Sequence, residues 1–121
     1  MHELSICAAL LDQVESLARH HGAPRVCRIE VAVGPLSGVE PQLLQQAFTI
    51  ARSGSCAEAA ELILTTSGVR VRCETCSKES DAAPNQLRCS HCRDWRTRVI
   101  AGDELLLSRV ELETHEETTH V

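Results

Sequence analysis

Two pairs of cysteines constrain this chain more than any other feature: Cys73-Glu74-Thr75-Cys76 and Cys89-Ser90-His91-Cys92, with twelve residues between the pairs. Two residues between paired cysteines let both thiolates reach one ion while the turn's backbone N–H groups point at the sulfurs. Two such knuckles complete a tetrahedral four-sulfur shell, which suits Zn²⁺ and leaves no position open for catalysis. Cys73, Cys76, Cys89 and Cys92 are therefore the expected ligands of a structural zinc ion. The competing reading is two pairs of buried or redox thiols, although a thioredoxin-like exchange site needs one C-x-x-C and not two. An iron-bound version would share the sulfur shell, but nothing else here suggests electron transfer. The connecting stretch from Ser77 to Arg88 cannot build a core of its own, so metal binding must supply its folding free energy. His91 is expected to be a solvated loop histidine, and Trp95 to cover the apolar side of the cluster.

At 121 residues the chain is most economically one domain, so any cysteine-bearing second unit must be small and stapled. Phe48 and Trp95 are the only aromatic residues, which leaves Leu, Val, Ile and Ala to form the core. No apolar run approaches the roughly 20 residues that cross a bilayer. The start also lacks the basic region and small-residue cleavage site of a secretory signal. Seven cysteines in such a chain argue for thiols or metal over disulfides, and the expected location is the cytoplasm, away from membranes. The net charge is −5, yet Arg70 to Arg98 carries seven Lys/Arg against four Asp/Glu. Four thiolates around one Zn²⁺ would add two negative charges there, so the electrostatic case for nucleic acid is weak.

Leu4, Cys7, Ala8, Leu11, Val14 and Ala18, with Leu10 and Leu17 widening the stripe, mark one face of a helix that Gly22 and Pro24 end. Residues 25–33 alternate as a strand with Cys27, Ile29, Val31 and Val33 on one face, which makes Cys27 a core residue. Gly34-Pro35-Leu36-Ser37-Gly38 reads as a loop, and Pro41 opens a second helix with Leu43, Leu44, Ala47, Phe48 and Ala51 as its apolar face. Residues 62–72 are expected to form a strand bent at Gly68, and residues 104–112 another. A helical crossover about 25 residues long suits parallel pairing of the first two strands. The fold expected is α+β, two helices on a three-stranded mixed sheet, with a zinc ribbon as an excursion that leaves and re-enters at one sheet edge. That assigns residues 1–69 plus 101–113 to the main domain, 70–100 to the zinc domain, and 114–121 to a disordered tail.

The start, Met1-His2-Glu3, offers a second donor set. His2 should hinder removal of Met1, leaving the Met1 amine, the His2 backbone nitrogen and an imidazole nitrogen able to close two chelate rings. Such a near-planar nitrogen set points to Ni²⁺ or Cu²⁺, with Glu3 as an oxygen ligand or hydrogen-bond partner. The plainer reading is a solvated terminus with Glu3 at the positive end of a helix dipole.

Taken together, MHELS at the terminus, VGPLSGVEPQLLQQAF in the middle and the two knuckles resemble the HypA/HybF family of nickel metallochaperones. The resemblance spans Met1 to about Glu113. It implies a factor, not an enzyme, that delivers nickel during maturation of [NiFe]-hydrogenase, in a nickel-binding α/β domain with an attached zinc domain. The implied nickel set is the Met1 amine with the His2 backbone and side chain, and Glu3 close by. Implied partners are a HypB-type GTPase and the hydrogenase large subunit, with urease maturation proteins served by some relatives. A monomer or weak homodimer is expected. Glu40 matches a place where some relatives carry an aspartate near the nickel, and an acidic residue at a helix start is its alternative role. The main rival is a zinc-ribbon nucleic-acid-binding protein resting on Arg70, Arg72, Arg88, Arg93, Arg96 and Arg98.

Overall fold

A computed structural model describes residues 2–113; Met1 and the tail from Thr114 onward lie outside the described residues. Helix α1 (His2–His20) buries Cys7, Leu11, Val14 and Ala18, one stripe at helical spacing. Gly22, at φ +66°, ends it in a Schellman arrangement: Ala23 N–H donates to Ala18 O at 2.8 Å and Gly22 N–H to Arg19 O at 3.1 Å. The stripe is narrower than its sequence suggests, because Leu4 and Ala8 are exposed. Helix α2 (Pro41–Ala51) starts on Pro41 and buries Leu44, Ala47 and Phe48 against α1, where the Cys7 thiol reaches Leu44 O at 3.4 Å.

Strand β1 (Arg25–Val33) buries Ile29, Val31 and Val33 on alternate positions, but at its start the burial phase slips by one residue. Val26 is buried and Cys27 is exposed, which corrects the expectation of a core cysteine there. The first sheet is mixed and three-stranded, in the order β2-β1-β6, with β2 at Glu61–Thr66 and β6 at Leu105–Glu113. The excursion therefore leaves by one edge of this sheet and returns on the opposite edge, not the same one. The last strand pairs with β1, where the Ser108 hydroxyl donates to Glu30 O at 3.0 Å.

The single bent strand expected over 62–72 is two strands in two sheets. β3 (Val69–Cys73) is the centre of a second three-stranded sheet, flanked by β4 (Glu79–Ala82) and β5 (Thr97–Ala101). The break falls at Ser67-Gly68. The Ser67 hydroxyl donates to Glu104 Oε1 at 2.6 Å, and Gly102, at φ +113°, closes so tightly that a Cβ there would lie 2.9 Å from Val69 Cα. Both flanking strands pair antiparallel with β3, and cross-strand charge pairs line its ladder with β4: Arg70 opposes Asp81 and Arg72 opposes Glu79.

The chain divides into two compact units. Among the described residues one takes 2–31, Glu40–Leu64 and 107–113; the other takes Ala32–Val39 and Thr65–Leu106. The cysteine-bearing unit contains residues 70–100. It takes in the loop at 34–38, where a Cβ on Gly34 would fall 2.2 Å from Gly102 O and Leu36 N–H donates to that same oxygen at 2.7 Å. Val14, Ile29, Val31 and Leu44 are among the innermost side chains of the first unit, and Val71, Cys73 and Cys89 among those of the second. Among the described residues no helix is long and apolar enough to cross a membrane.

Candidate metal centre

All four paired cysteines converge in the second unit, their Sγ atoms within 4.8 Å of one another. Cys73 Sγ lies 3.5 Å from Cys92 Sγ, and Cys76 Sγ 3.6 Å from Cys89 Sγ. A tetrahedral Zn²⁺ with bonds of about 2.3 Å would set its sulfurs about 3.8 Å apart, so the cluster fits that ion. Each knuckle is built the same way. Cys73 Sγ accepts the N–H groups of Thr75 and Cys76 at 3.3 and 3.4 Å, and Cys89 Sγ accepts those of His91 and Cys92 at 3.3 and 3.4 Å. The parallel extends to the backbone: Ser77 N–H donates to Cys73 O and Arg93 N–H to Cys89 O, both at 3.0 Å. Ser77 and Arg93 hold equivalent positions and are, among the described residues, the two non-glycine residues with positive φ, at 63° and 66°.

This scaffold polarises the thiols. The Cys92 N–H and then the His91 N–H pull Cys89 down to about 6, well below an ordinary thiol. At Cys92 the Asp94 backbone N–H acts downward, but the contact with Cys73 and crowding by the other sulfurs outweigh it and push the thiol up to about 12. Four thiols at this spacing cannot all ionise alone, whereas a divalent cation would stabilise every thiolate. Cys73 and Cys89 are buried, Cys76 is half-buried and Cys92 is exposed.

In the first unit, His2 opens α1 with its side chain 63% exposed, while that of Glu3 is only 13% exposed. His2 Nδ1 lies 3.8 Å from Glu3 Oε2. That same oxygen accepts the N–H of Glu40, the residue that caps α2, at 3.3 Å. Glu3 therefore ties the starts of both helices together. Its own backbone N–H, then that of Glu40, then the His2 side chain hold its carboxyl below the usual carboxylate range. Glu40 approaches this group through its backbone, and its own side chain makes no capping bond. Met1 lies outside the described residues.

Over residues 1–112 the chain matches the family described as "Hydrogenase/urease nickel incorporation, metallochaperone, hypA", a span that takes in the amino-terminal residues and both knuckles. The chain belongs to this family. HypA proteins are metallochaperones for nickel incorporation and not enzymes. The hydrogenase maturation factor HypA of Nitrosospira multiformis is 43% identical over 114 residues, covering 94% of this chain and 99% of its own. That of Aquifex aeolicus is 40% identical over 113 residues, covering 93% and 98%. The solution structure of the Ni metallochaperone HypA from Helicobacter pylori shares the fold, with a TM-score of 0.69 and 25% identity over 91% of this chain and 96% of that one.

One side chain of this HypA-family chain behaves otherwise than expected, while His91 is the expected solvated loop histidine. Trp95 is 59% exposed, and the Arg88 guanidinium lies over its ring, 5.5 Å from the centroid; it does not cover the cluster. His91 is exposed, and its backbone N–H is what serves the site. Thr75 and Asp94 escaped notice from sequence. The Thr75 hydroxyl donates to Asp94 Oδ2 at 2.6 Å and the Arg96 N–H to Asp94 Oδ1 at 3.0 Å, and these two bonds, in that order, hold the Asp94 carboxyl below the usual range. Nothing in their spacing announces that contact, which joins residues 19 apart.

Proposed function

We propose that this HypA-family chain binds Ni²⁺ through the Met1 amine and the backbone and imidazole nitrogens of His2, and hands it on during maturation of [NiFe]-hydrogenase. The family match from residue 1 to 112 carries this reading, because it includes the terminal donor set and the cysteine pairs in one span. In this reading residues 1–69 with 101–113 serve nickel and 70–100 serve zinc. The cargo is held at a chain start whose His2 side chain is largely open to a partner, while Glu3 fixes that start to the head of α2. Engaged with the Glu40 N–H through Oε2, Glu3 serves the nitrogens as an orienting neighbour or lends them an oxygen ligand. Amine and imidazole donors must be deprotonated to bind, so protons compete with nickel and promote its release.

Cys73, Cys76, Cys89 and Cys92 would hold the structural Zn²⁺, which supplies a four-coordinate crosslink and no reactive site. The chain's own part is to donate the N–H groups of Thr75, Cys76, His91 and Cys92 to the two buried sulfurs. A HypB-type GTPase and the hydrogenase large subunit are the partners this reading names. Relatives named as hydrogenase maturation factors favour hydrogenase over urease as the destination. The nucleic-acid alternative is weakened by Arg70 and Arg72, which pair with Asp81 and Glu79.

Metal analysis of three forms tests the proposal: the native chain, one with residues added before Met1, and His2→Ala. One zinc is expected in each, with nickel affinity lowered at least about 100-fold in the second and third, since each loses donors of a chelate set. Equal nickel affinity across the three forms would exclude the amino-terminal site.

A further inference from the structure

Within each knuckle the hydrogen bonds are local and repeat with the same spacing. The first cysteine's N–H donates five residues ahead, Cys73 to Lys78 O at 2.9 Å and Cys89 to Asp94 O at 3.0 Å. Lys78 and Asp94 are thus equivalent positions of the repeat, but their side chains differ in what they do. Asp94 reaches across to the other knuckle and accepts the Thr75 hydroxyl at 2.6 Å, while its second oxygen is pinned by the Arg96 N–H at 3.0 Å. Beside it the Glu74 N–H donates to Arg96 O at 2.8 Å, so the segment after the second knuckle grips the turn of the first at two adjacent residues. Apart from the sulfurs themselves, the Thr75–Asp94 bond is the one side-chain link that the described residues place between the knuckles.

We infer that Asp94, through its bond to Thr75, is a positioning residue that keeps the two cysteine knuckles closed on their metal and so slows the metal's escape. The inference rests on the reading of the cysteines as a zinc site. For an ion in a four-thiolate shell to leave, one Cys pair must swing away from the other. A charged acceptor and a hydroxyl at this distance make a bond of the stronger class, and it must break before the pairs can part. When one sulfur detaches, the bridge holds the opened shell at a separation from which that sulfur rebinds. The bond lies outside the sulfur shell, so its loss should change how fast metal leaves before it changes how much is bound.

The test uses the full chain loaded with one equivalent of Zn²⁺ and follows release to an excess of a chromophoric chelator. The sulfur-to-metal charge-transfer bands of the Co²⁺-substituted protein report the shell itself. Asp94→Ala and Thr75→Val should each speed release about tenfold, the scale on which partners of metal ligands act. Asp94→Asn should fall between them and the native chain. The double variant should release no faster than the faster single one, because both changes remove the same bond. Arg70→Gln, which removes the 2.7 Å Arg70–Asp81 pair elsewhere in the same unit, should leave the rate unchanged. Release within twofold of native in both single variants, multiplying rates in the double, or equal acceleration by Arg70→Gln would each overturn the inference. Those results leave the zinc reading standing, since one zinc per chain before chelation supports it independently. A native chain that binds no zinc overturns both.

Discussion

The two candidate sites are built on opposite plans. In the cysteine unit four side chains are set by two copies of one backbone turn, each sulfur pair backed by two N–H donors and by a carbonyl contact at the same place in each copy. At the start of α1, the described part of the site hangs on one carboxylate, Glu3, which joins the heads of two helices and leaves His2 in the open. The first arrangement suits permanent retention, because an ion that binds it closes two turns whose backbone already favours bringing the sulfurs together. In the function proposed above the second suits exchange, because the His2 side chain is left largely open. Closure by local backbone repeats and anchorage by one long-range bond are thus the physical difference between a scaffold metal and a cargo metal in the function proposed above.

The largest expected effect tests whether the two units depend on metal unequally. Replacing Cys89 by Ala removes a buried ligand of a shell whose binding free energy is of the order of 10 kcal/mol or more. Amides of β3, β4 and β5 should then lose hydrogen-exchange protection while those of α1 and α2 keep theirs. Retained protection in β5 would show that the second unit folds without metal and would break the contrast. A smaller effect of opposite location is expected from Leu44→Ala, which empties a fully buried position between the helices and should cost about 2–5 kcal/mol. The urea midpoint of the first unit should fall while the zinc content stays at one.

The smallest effect concerns Glu104, whose carboxylate takes the Ser67 hydroxyl and the Gly102 N–H, in that order of strength, and is held below the usual range. A depressed folded-state value means that its stabilisation is present above the unfolded value and is lost as pH falls through the folded one. Glu104→Gln should therefore lie below the native chain in stability near neutral pH and converge with it below about pH 4. Parallel stability curves from neutrality down through that window would show that the ionised carboxylate contributes nothing.

Much of the fold is legible along the chain where burial follows a local period. α1, α2 and the second half of β1 announce themselves through residues such as Val14, Leu44 and Ile29, because a helix or strand turns its side chains inward at fixed spacing. Cys27 shows the limit of that rule, since a slip of one residue near the strand's start carries it to solvent. β4 stayed hidden because Glu79-Ser80-Asp81-Ala82 has little intrinsic strand preference; its pairing is a backbone ladder along β3, to which the exposed Arg70–Asp81 and Arg72–Glu79 pairs add little. Trp95 was misplaced because an aromatic residue beside a metal knuckle can pack inward or stack on a neighbour, and Arg88 decides for stacking.

By itself, then, the sequence determined the convergence of Cys73 with Cys76 and of Cys89 with Cys92, the helix stripes, and the helix end at Gly22. Each depends on residues a few positions apart, so local backbone geometry suffices. Only the tertiary structure decided that β6 lies across β1 from β2, that Glu3 meets Glu40 over a separation of 37 residues, and that Asp94 reaches Thr75. Such meetings depend on where the chain crosses itself, and no local period carries that information.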